Sequence, residues 1–496
     1  MEHWRPAIQD ILDRSWLRFG IYTHHRWLLL VMAVAFAVGI AVGGGWLIAE
    51  LGPLPVIALL VVLAYAVVVI KNLEAAYFGV IAVIALLPFG ALPFSIGFTP
   101  TFLDLAVLAL FAVWLLPIVF GAQQSLVASP VGGAVLAFLL LALAAFVQGL
   151  SHGVLTSYLI RHFAEVLLSI LIFFLVVNTV TEPERLGRLV AWLILAASAA
   201  ACIGIVLYVL PDELTMRILS VLARFGYPTG PGVIRYIRDD PSLMKRATST
   251  SVDPNVLGSL LNLAIAMAVP QLLSRHSVLP RWVVVGALGV MGGGLVLTAS
   301  RGSMGGVAVA VLAISLLRYR KLLPWIAVVA ILFLVLPWTQ ELIAHFVEGV
   351  LRQDLSTQMR MGEYKDALIL IGRYPFLGVG FAGTPDLDIY VAVANVYLTV
   401  AAQMGLVGLG AFLLVVGMVL ARFWRRRKQV ANVPALEPLW YGVHAALIGG
   451  LVGGMFDHYF FSLSFHHSVS LFWLVVGLAT AATQMVDTVQ SERSSP

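Results

Sequence analysis

Fourteen runs of mainly apolar residues follow one another along the chain, near 27–48, 53–70, 74–92, 102–120, 130–149, 163–180, 188–210, 254–273, 281–299, 302–317, 322–338, 392–421, 437–456 and 464–484. A helix needs about 20 such residues to cross the hydrocarbon core of a bilayer. Lipid offers backbone N–H and C=O groups no partners, so a spanning segment must satisfy them internally, as a helix does. The pattern predicts an all-α polytopic membrane protein with about 14 transmembrane helices. Phe94 to Thr101 reads as a re-entrant turn, and Ser300-Arg301-Gly302 as either a hairpin or the break in one long helix.

Composition agrees. Charged residues make up 11% and apolar ones 61%, against roughly 25% charged in a soluble domain. A water-soluble fold cannot hide that much apolar surface. A cytosolic enzyme, a secreted disulfide scaffold and a disordered chain are thereby excluded. The single cysteine, Cys202, lies in an apolar run and supports neither a disulfide nor a thiolate metal site. No phosphate-binding G-x-x-x-x-G-K-S/T occurs. The net charge of +5 comes from short basic clusters between apolar runs, so no nucleic-acid partner is expected.

Those clusters set the expected orientation. Arg14, Arg18 and Arg26, then Lys71, Arg185 with Arg188, Arg275 with Arg281, Arg318 to Lys321, and Arg422 with Arg425 to Lys428 all fall on one side if there are fourteen spans. The positive-inside rule makes that side the cytoplasm. The expected organisation is a cytoplasmic interfacial segment at 1–26, N-terminal transmembrane helices at 27–210, a first outer loop at 211–253, central transmembrane helices at 254–338, a second outer loop at 339–390, C-terminal transmembrane helices at 391–486 and a cytoplasmic tail at 487–496. Both loops read as amphipathic helices lying on the bundle. In the first, Asp212 is the expected N-cap, followed by a stripe of Leu214, Ile218, Val221, Leu222 and Phe225. In the second, Leu342, Phe346, Val350 and Leu351 form one stripe and Glu341, His345, Glu348 and Arg352 another.

Ionisable groups on the outer side have no topological role and so become candidates for chemistry. Lys245-Arg246 precedes Asp253-Pro254-Asn255, where Asp253 caps a helix beginning at Pro254. A helix N-terminus beside Arg246 suits a phosphate; the plain alternative is a capped helix with snorkelling cations. Arg301 lies between two apolar runs and either binds an anion or pairs with Asp104, Glu165 or Asp457. Arg360, Glu363 and Tyr364 share one helical face, and Pro375 ends that helix before Gly378 and Gly380. Asn395 and Tyr397 precede Gln403, Gly405, Gly408 and Gly410, glycines that read as helix packing. Asp457-His458 is a proton-transfer pair or a polar turn. The outer face thus collects Arg161, Arg246, Arg301, Arg360 and Arg373 with Glu165, Asp253, Glu363 and Asp457. Guanidinium groups suit a diphosphate leaving group, and they serve it without a metal or cofactor.

With these pieces in order, the chain resembles the O-antigen ligase and O-antigen polymerase superfamily of bacterial envelope proteins. The pieces are Arg246 through Asp253-Pro254-Asn255, Thr298-Ala299-Ser300-Arg301-Gly302, Arg360 through Pro375-Phe376-Leu377-Gly378-Val379-Gly380, and Asn395-Val396-Tyr397-Leu398 with Gly405-Leu406-Val407-Gly408. They run from about Arg246 to the last span. The resemblance implies a fold like other polyprenyl-donor glycosyltransferases and a donor glycan on undecaprenyl pyrophosphate. It implies a glycan or lipid acceptor and an active site facing the periplasm or exterior of the bacterial inner membrane. Arg246 and Arg360, with Arg301, would grip the pyrophosphate, and Asn255, Tyr364 and Asn395 would bind substrate. The ligase branch has a His where this chain has Ala394. That departure leaves open a polymerase-like branch, another base among Glu363, Asp457 and His458, or a chain without activity, natural or engineered. The expected activity is metal-independent, inverting glycosyl transfer, by polymerisation slightly before ligation. The rival reading is a flippase for lipid-linked oligosaccharide, with Arg161, Arg301 and Glu165 lining a central cavity; an assembly scaffold without chemistry is a third.

Overall fold

The computed structural model describes residues 26–51, 65–93, 98–121, 126–335, 355–383 and 393–494, with Val56, Gln340 and Ile343. All of the interfacial segment expected at 1–26 except Arg26, most of the span at 53–70, part of the turn at 94–101 and the two stripes expected on 341–352 lie outside the described residues.

Residues 1–71 form one compact unit and residues 72–496 another. In the first, α1 (Arg26–Leu51) is apolar along its length. Val31, Phe36, Val42 and Trp46 are exposed on several of its faces, as suits a helix solvated by lipid.

The second unit contains α2 (Leu73–Leu86), α3 (Phe102–Val119), α4 (Gly132–Gly149), α5 (Ser157–Thr179), α6 (Pro183–Val209), α7 (Asp212–Ser220), a two-strand ladder of β1 (Arg235–Tyr236) and β2 (Lys245–Arg246), then α8 (Pro254–Leu273), α9 (Arg281–Thr298), α10 (Arg301–Leu317), α11 (Leu323–Val335), α12 (Leu355–Arg373), α13 (Val396–Arg426), α14 (Glu437–Gly453) and α15 (His466–Ser494). The protein is an all-α polytopic membrane protein. Among the described residues eight helices, α3, α4, α5, α6, α8, α9, α13 and α15, are both long and apolar enough to cross a bilayer. The others that coincide with expected spans are shorter or fall partly outside the described residues, so the count of 14 is not reached by that measure.

Burial ranks these helices. The spanning windows of α15 and α8 are 94% and 83% buried by protein, against 22% in α3, so α8 and α15 are central and α3 peripheral. Packing of α8 on α14 and α10 depends on missing side chains. A Cβ at Gly306 would stand 2.4 Å from Asn262 Nδ2, and one at Gly449 2.6 Å from Asn262 Oδ1. The amide of Asn262, 1% exposed, is wedged there and donates to the Gly449 carbonyl at 2.9 Å.

The basic clusters gather at the far ends of the helices that carry the candidate residues. Arg318, just past the C-terminus of α10, pairs with Glu437 at the start of α14. Arg422 and Arg426 near the end of α13 both hold Asp487 at 2.6 Å.

Two expectations are corrected. Asp212 is the first helical residue of α7 rather than its cap; its carboxylate instead accepts from Tyr236 and from Lys245 Nζ, the latter at 2.9 Å. The face that α7 turns to the protein carries Thr215, Met216, Leu219 and Leu222, while Leu214, Ile218 and Val221 are exposed. The expected stripe is thus split, with Leu222 packed inward and Leu214, Ile218 and Val221 facing away, and Thr215 donates to the Leu207 carbonyl at 3.0 Å.

Gly405 is likewise not a packing glycine. It breaks α13 with φ 68° and ψ −177°, a region reached essentially by glycine alone. The break frees the carbonyls of Ala402 and Gln403, which accept from Val379 N at 2.9 Å and Gly380 N at 3.0 Å. Gly378 and Gly380, with φ of 70° and 77°, let that segment pass. A Cβ on Gly405 would stand 2.1 Å from the Phe376 carbonyl oxygen. Gly405→Ala is therefore expected to destabilise the protein by about 3 kcal/mol, the strain and the clash acting together. A thermal melt in detergent checks this; an unchanged Tm would contradict it.

Candidate active site

Four segments meet at one end of the bundle. The first is β2 and the start of α8. Asp253 caps α8, its Oδ1 accepting from Asn255 N at 2.7 Å and Val256 N at 3.3 Å, with Pro254 at the first helical position. Arg246 is held beside that cap: its Nη2 donates to Asn255 Oδ1 at 2.7 Å and its Nε to the Thr298 carbonyl at 2.8 Å. Thr298 closes α9, and Ala299 then turns the chain with φ 50°. The Ser300 segment is thus a hairpin between two helices, and Arg246 takes one of the carbonyls that the end of α9 leaves free.

The second segment is the start of α10. Arg301 stands at its first position, next to Gly302, where a Cβ would lie 2.8 Å from Phe456 Cβ and 3.6 Å from Asp457 Oδ2. The third is α12, whose Arg360, Glu363 and Tyr364 share a face as their spacing predicts. Arg360 Nη2 lies 3.6 Å from Asp457 Oδ1, with side-chain exposures of 24% and 14%. Glu363 Oε2 accepts from Ala394 N at 2.9 Å, and the Tyr364 hydroxyl donates to the Ala394 carbonyl at 3.2 Å.

The fourth is the junction of Asn395 with the loop after α14. Asn395 caps α13, accepting from Leu398 N at 3.0 Å, while its Nδ2 donates to the Met455 carbonyl at 3.0 Å. Val396 N bonds Gly454 O at 2.8 Å. Ala394 therefore sits between Glu363, Tyr364 and the Asp457 loop.

Electrostatics follow from this assembly. Burial pushes the Asp457 carboxyl up to about 7; Arg360 and Arg246 pull it down, while Asp253 and Glu363 push it further up. Burial draws the neighbouring His458 down to about 4, leaving a neutral imidazole at pH 7 whose Nδ1 has no hydrogen-bond partner among the described residues. Burial lowers the Arg246 guanidinium, against the pull of Asp253 and Asp457. Tyr459, which sequence reasoning gave no role, lies beside Asn255 and Asp253, and burial pushes its hydroxyl well above the usual range. A small cavity runs from Asp457 and Tyr459 to Ser259, Asn262 and Ser303.

The structure thus brings Arg246, Asn255, Arg360, Glu363, Tyr364, Asn395, Asp457 and His458 to one end of the bundle, and the start of α10 with Arg301 against them. Arg161 and Glu165, expected with this group, belong to a separate cluster. Arg161 Nη2 meets Asp104 Oδ2 at 3.1 Å and its Nε meets Glu165 Oε1 at 2.7 Å. His162 Nδ1 and His466 Nδ1 lie 2.8 and 3.5 Å from Glu165 Oε2. Asp104, Glu165 and His466 place donor atoms within 4.8 Å of one another, a spacing open to a metal ion. The guanidinium already lying on both carboxylates makes this an ion-pair network in its present form. The chain also contains one Asp-x-Asp, Asp386-Leu387-Asp388, which lies outside the described residues.

Fold and site define a polytopic membrane protein that gathers arginines, carboxylates and an imidazole at one end of its helical bundle. Residues 286–413 match the family model described as O-antigen ligase, and this supports a place for the chain in the O-antigen ligase and polymerase superfamily. The match takes in Arg301, Arg360, Glu363, Tyr364 and Asn395. It is narrower than the expected stretch from Arg246 to the last span, and Arg246, Asp457 and His458 fall outside it. No curated protein matches the chain significantly.

Proposed function

We propose that the protein is an inverting, metal-independent glycosyltransferase of the bacterial inner membrane. It would take a glycan from undecaprenyl pyrophosphate at the outer face and polymerise repeat units or ligate them to an acceptor. The observation that carries this reading is the placement of Arg246 and Arg360 around Asp457, within reach of the Ala394–Asn395 segment. Arg246 and Arg360, with Arg301 beside them, hold the pyrophosphate and take up charge as it leaves. Asp457 accepts the proton of the acceptor hydroxyl. The acceptor oxygen bonds to the anomeric carbon from the side opposite the breaking carbon–phosphate oxygen bond, and undecaprenyl pyrophosphate departs with the bonding electrons. Glu363, Tyr364, Asn255 and Asn395 hold the surrounding backbone and side chains in place. Polymerisation is preferred to ligation because Ala394 replaces the ligase His.

Undecaprenyl-pyrophosphate oligosaccharide incubated with purified protein is expected to give elongated or transferred glycan and free undecaprenyl pyrophosphate, at a rate unchanged by EDTA. Rate loss on chelation, restored by a divalent metal, would overturn the metal-independent mechanism. Transbilayer movement of the intact donor with no new glycosidic bond would favour the flippase. Against that rival, Arg161 and Glu165 engage each other and Asp104 instead of lining an open cavity.

A further inference from the structure

We propose that Arg235 is a further arginine of the donor site, binding the sugar-proximal phosphate of a lipid diphosphate beside Arg246. The inference rests on the donor reading above and deepens it. It starts from the ladder between β1 and β2, in which Arg235 stands opposite Arg246 and Tyr236 opposite Lys245. Residues directly opposite in an antiparallel pair project to the same face, with Cβ atoms about 5 Å apart. The two faces differ in how their charge is met. On one, Tyr236 and Lys245 converge on Asp212. The other turns towards Thr298 and Asn255, where Arg246 is anchored.

Two guanidinium groups directly opposite each other repel, and an anion lying between them removes that cost. Arg235 has little else to meet it: Asp239 approaches only to 3.9 Å and is 80% exposed. The Arg235 Nε is buried and has no hydrogen-bond partner among the described residues. The turn after β1 places both Arg238 and Asp239 at positive φ, 58° and 54°, a strained conformation of the kind that gathers at binding sites. The Arg235 side chain is 40% exposed, whereas Arg246 is fixed against α8 and α9. A lipid diphosphate runs from an apolar tail to a hydrated glycan, so the more exposed guanidinium falls to the phosphate on the glycan side.

Binding of undecaprenyl pyrophosphate and undecaprenyl phosphate, both without glycan, to the full-length protein in detergent tests this. Wild type is expected to prefer the pyrophosphate. Arg235→Ala is expected to weaken pyrophosphate binding about tenfold and monophosphate binding by less than about twofold, with Arg235→Lys between wild type and Ala, since Lys offers no bidentate fork. Asp239→Ala, which removes the carboxylate 3.9 Å from Arg235, is expected to strengthen pyrophosphate binding, and it remains a valid test if the Arg235 variants do not fold. If Arg246→Ala loses the preference and Arg235→Ala keeps it, the Arg235 assignment is overturned and the donor reading stands. If wild type shows no preference, the donor reading fails and takes this inference with it. Equal losses for both lipids in Arg235→Ala would place Arg235 on a single phosphate shared by the two and overturn the assignment to the second.

Discussion

Arg360→Ala is expected to lower glycan transfer by about 10²–10³-fold, the range seen when one preorganised donor to a developing anion is removed. The effect should fall mainly on kcat. Arg360 reaches the site from α12 and lies 3.6 Å from Asp457, a separation that leaves its guanidinium available to a leaving group. Arg246 differs. It ties the cap of α8 to the end of α9 through Asn255 and Thr298, so Arg246→Ala should lose activity and melt at a lower temperature as well. Lysine should rescue neither, because it supplies a point charge where a planar fork is needed. Initial rates on a lipid-linked oligosaccharide, together with thermal melts, separate the two cases. Unchanged product formation by both alanine variants would remove the arginines from the mechanism.

Much of this site could be read from local sequence because its parts are local. Asp253-Pro254 is a cap and first turn whatever the rest of the chain does, and the structure has that geometry. Arg360, Glu363 and Tyr364 share a face by helical period alone. What sequence could not supply is which segments meet. Sequence places Arg161 with the other outer-face arginines, yet α5 and α3 bring it to Asp104 and Glu165, since nothing in the spacing says which helix neighbours which. A two-residue ladder leaves no periodic signal, so Arg235 gains meaning only from its register against Arg246. A glycine in an apolar run such as Gly405 reads as packing, and its left-handed break is explained only by the Val379–Gly380 backbone that it admits. Hydropathy likewise found the expected stripe on α7, but which face turns inward was decided by Thr215 and Leu219.

A second large effect is expected at Asp457. Burial holds its carboxyl at about 7, a value suited to a base working near neutral pH and close to that of the histidine which Ala394 replaces. Transfer should therefore rise from about pH 6 to pH 8 with a midpoint near 7, as the carboxylate form fills, and then level off. Asp457→Asn should lose about 10²–10⁴-fold at the plateau and show no titration in that window. The same substitution has the opposite consequence for stability. Because the folded-state value lies above the unfolded one, the contribution of this group is fully present below about pH 4 and is lost as pH rises through 7. Asp457→Asn removes that dependence, so above pH 7 the variant should melt no lower than wild type while being nearly inactive. A merely structural aspartate would couple lost activity to lost stability, whereas a base at this site decouples them. A midpoint near 7 that persists in Asp457→Asn would instead assign the proton acceptor to another group of the cluster, with Glu363, already beside Ala394, the first to substitute.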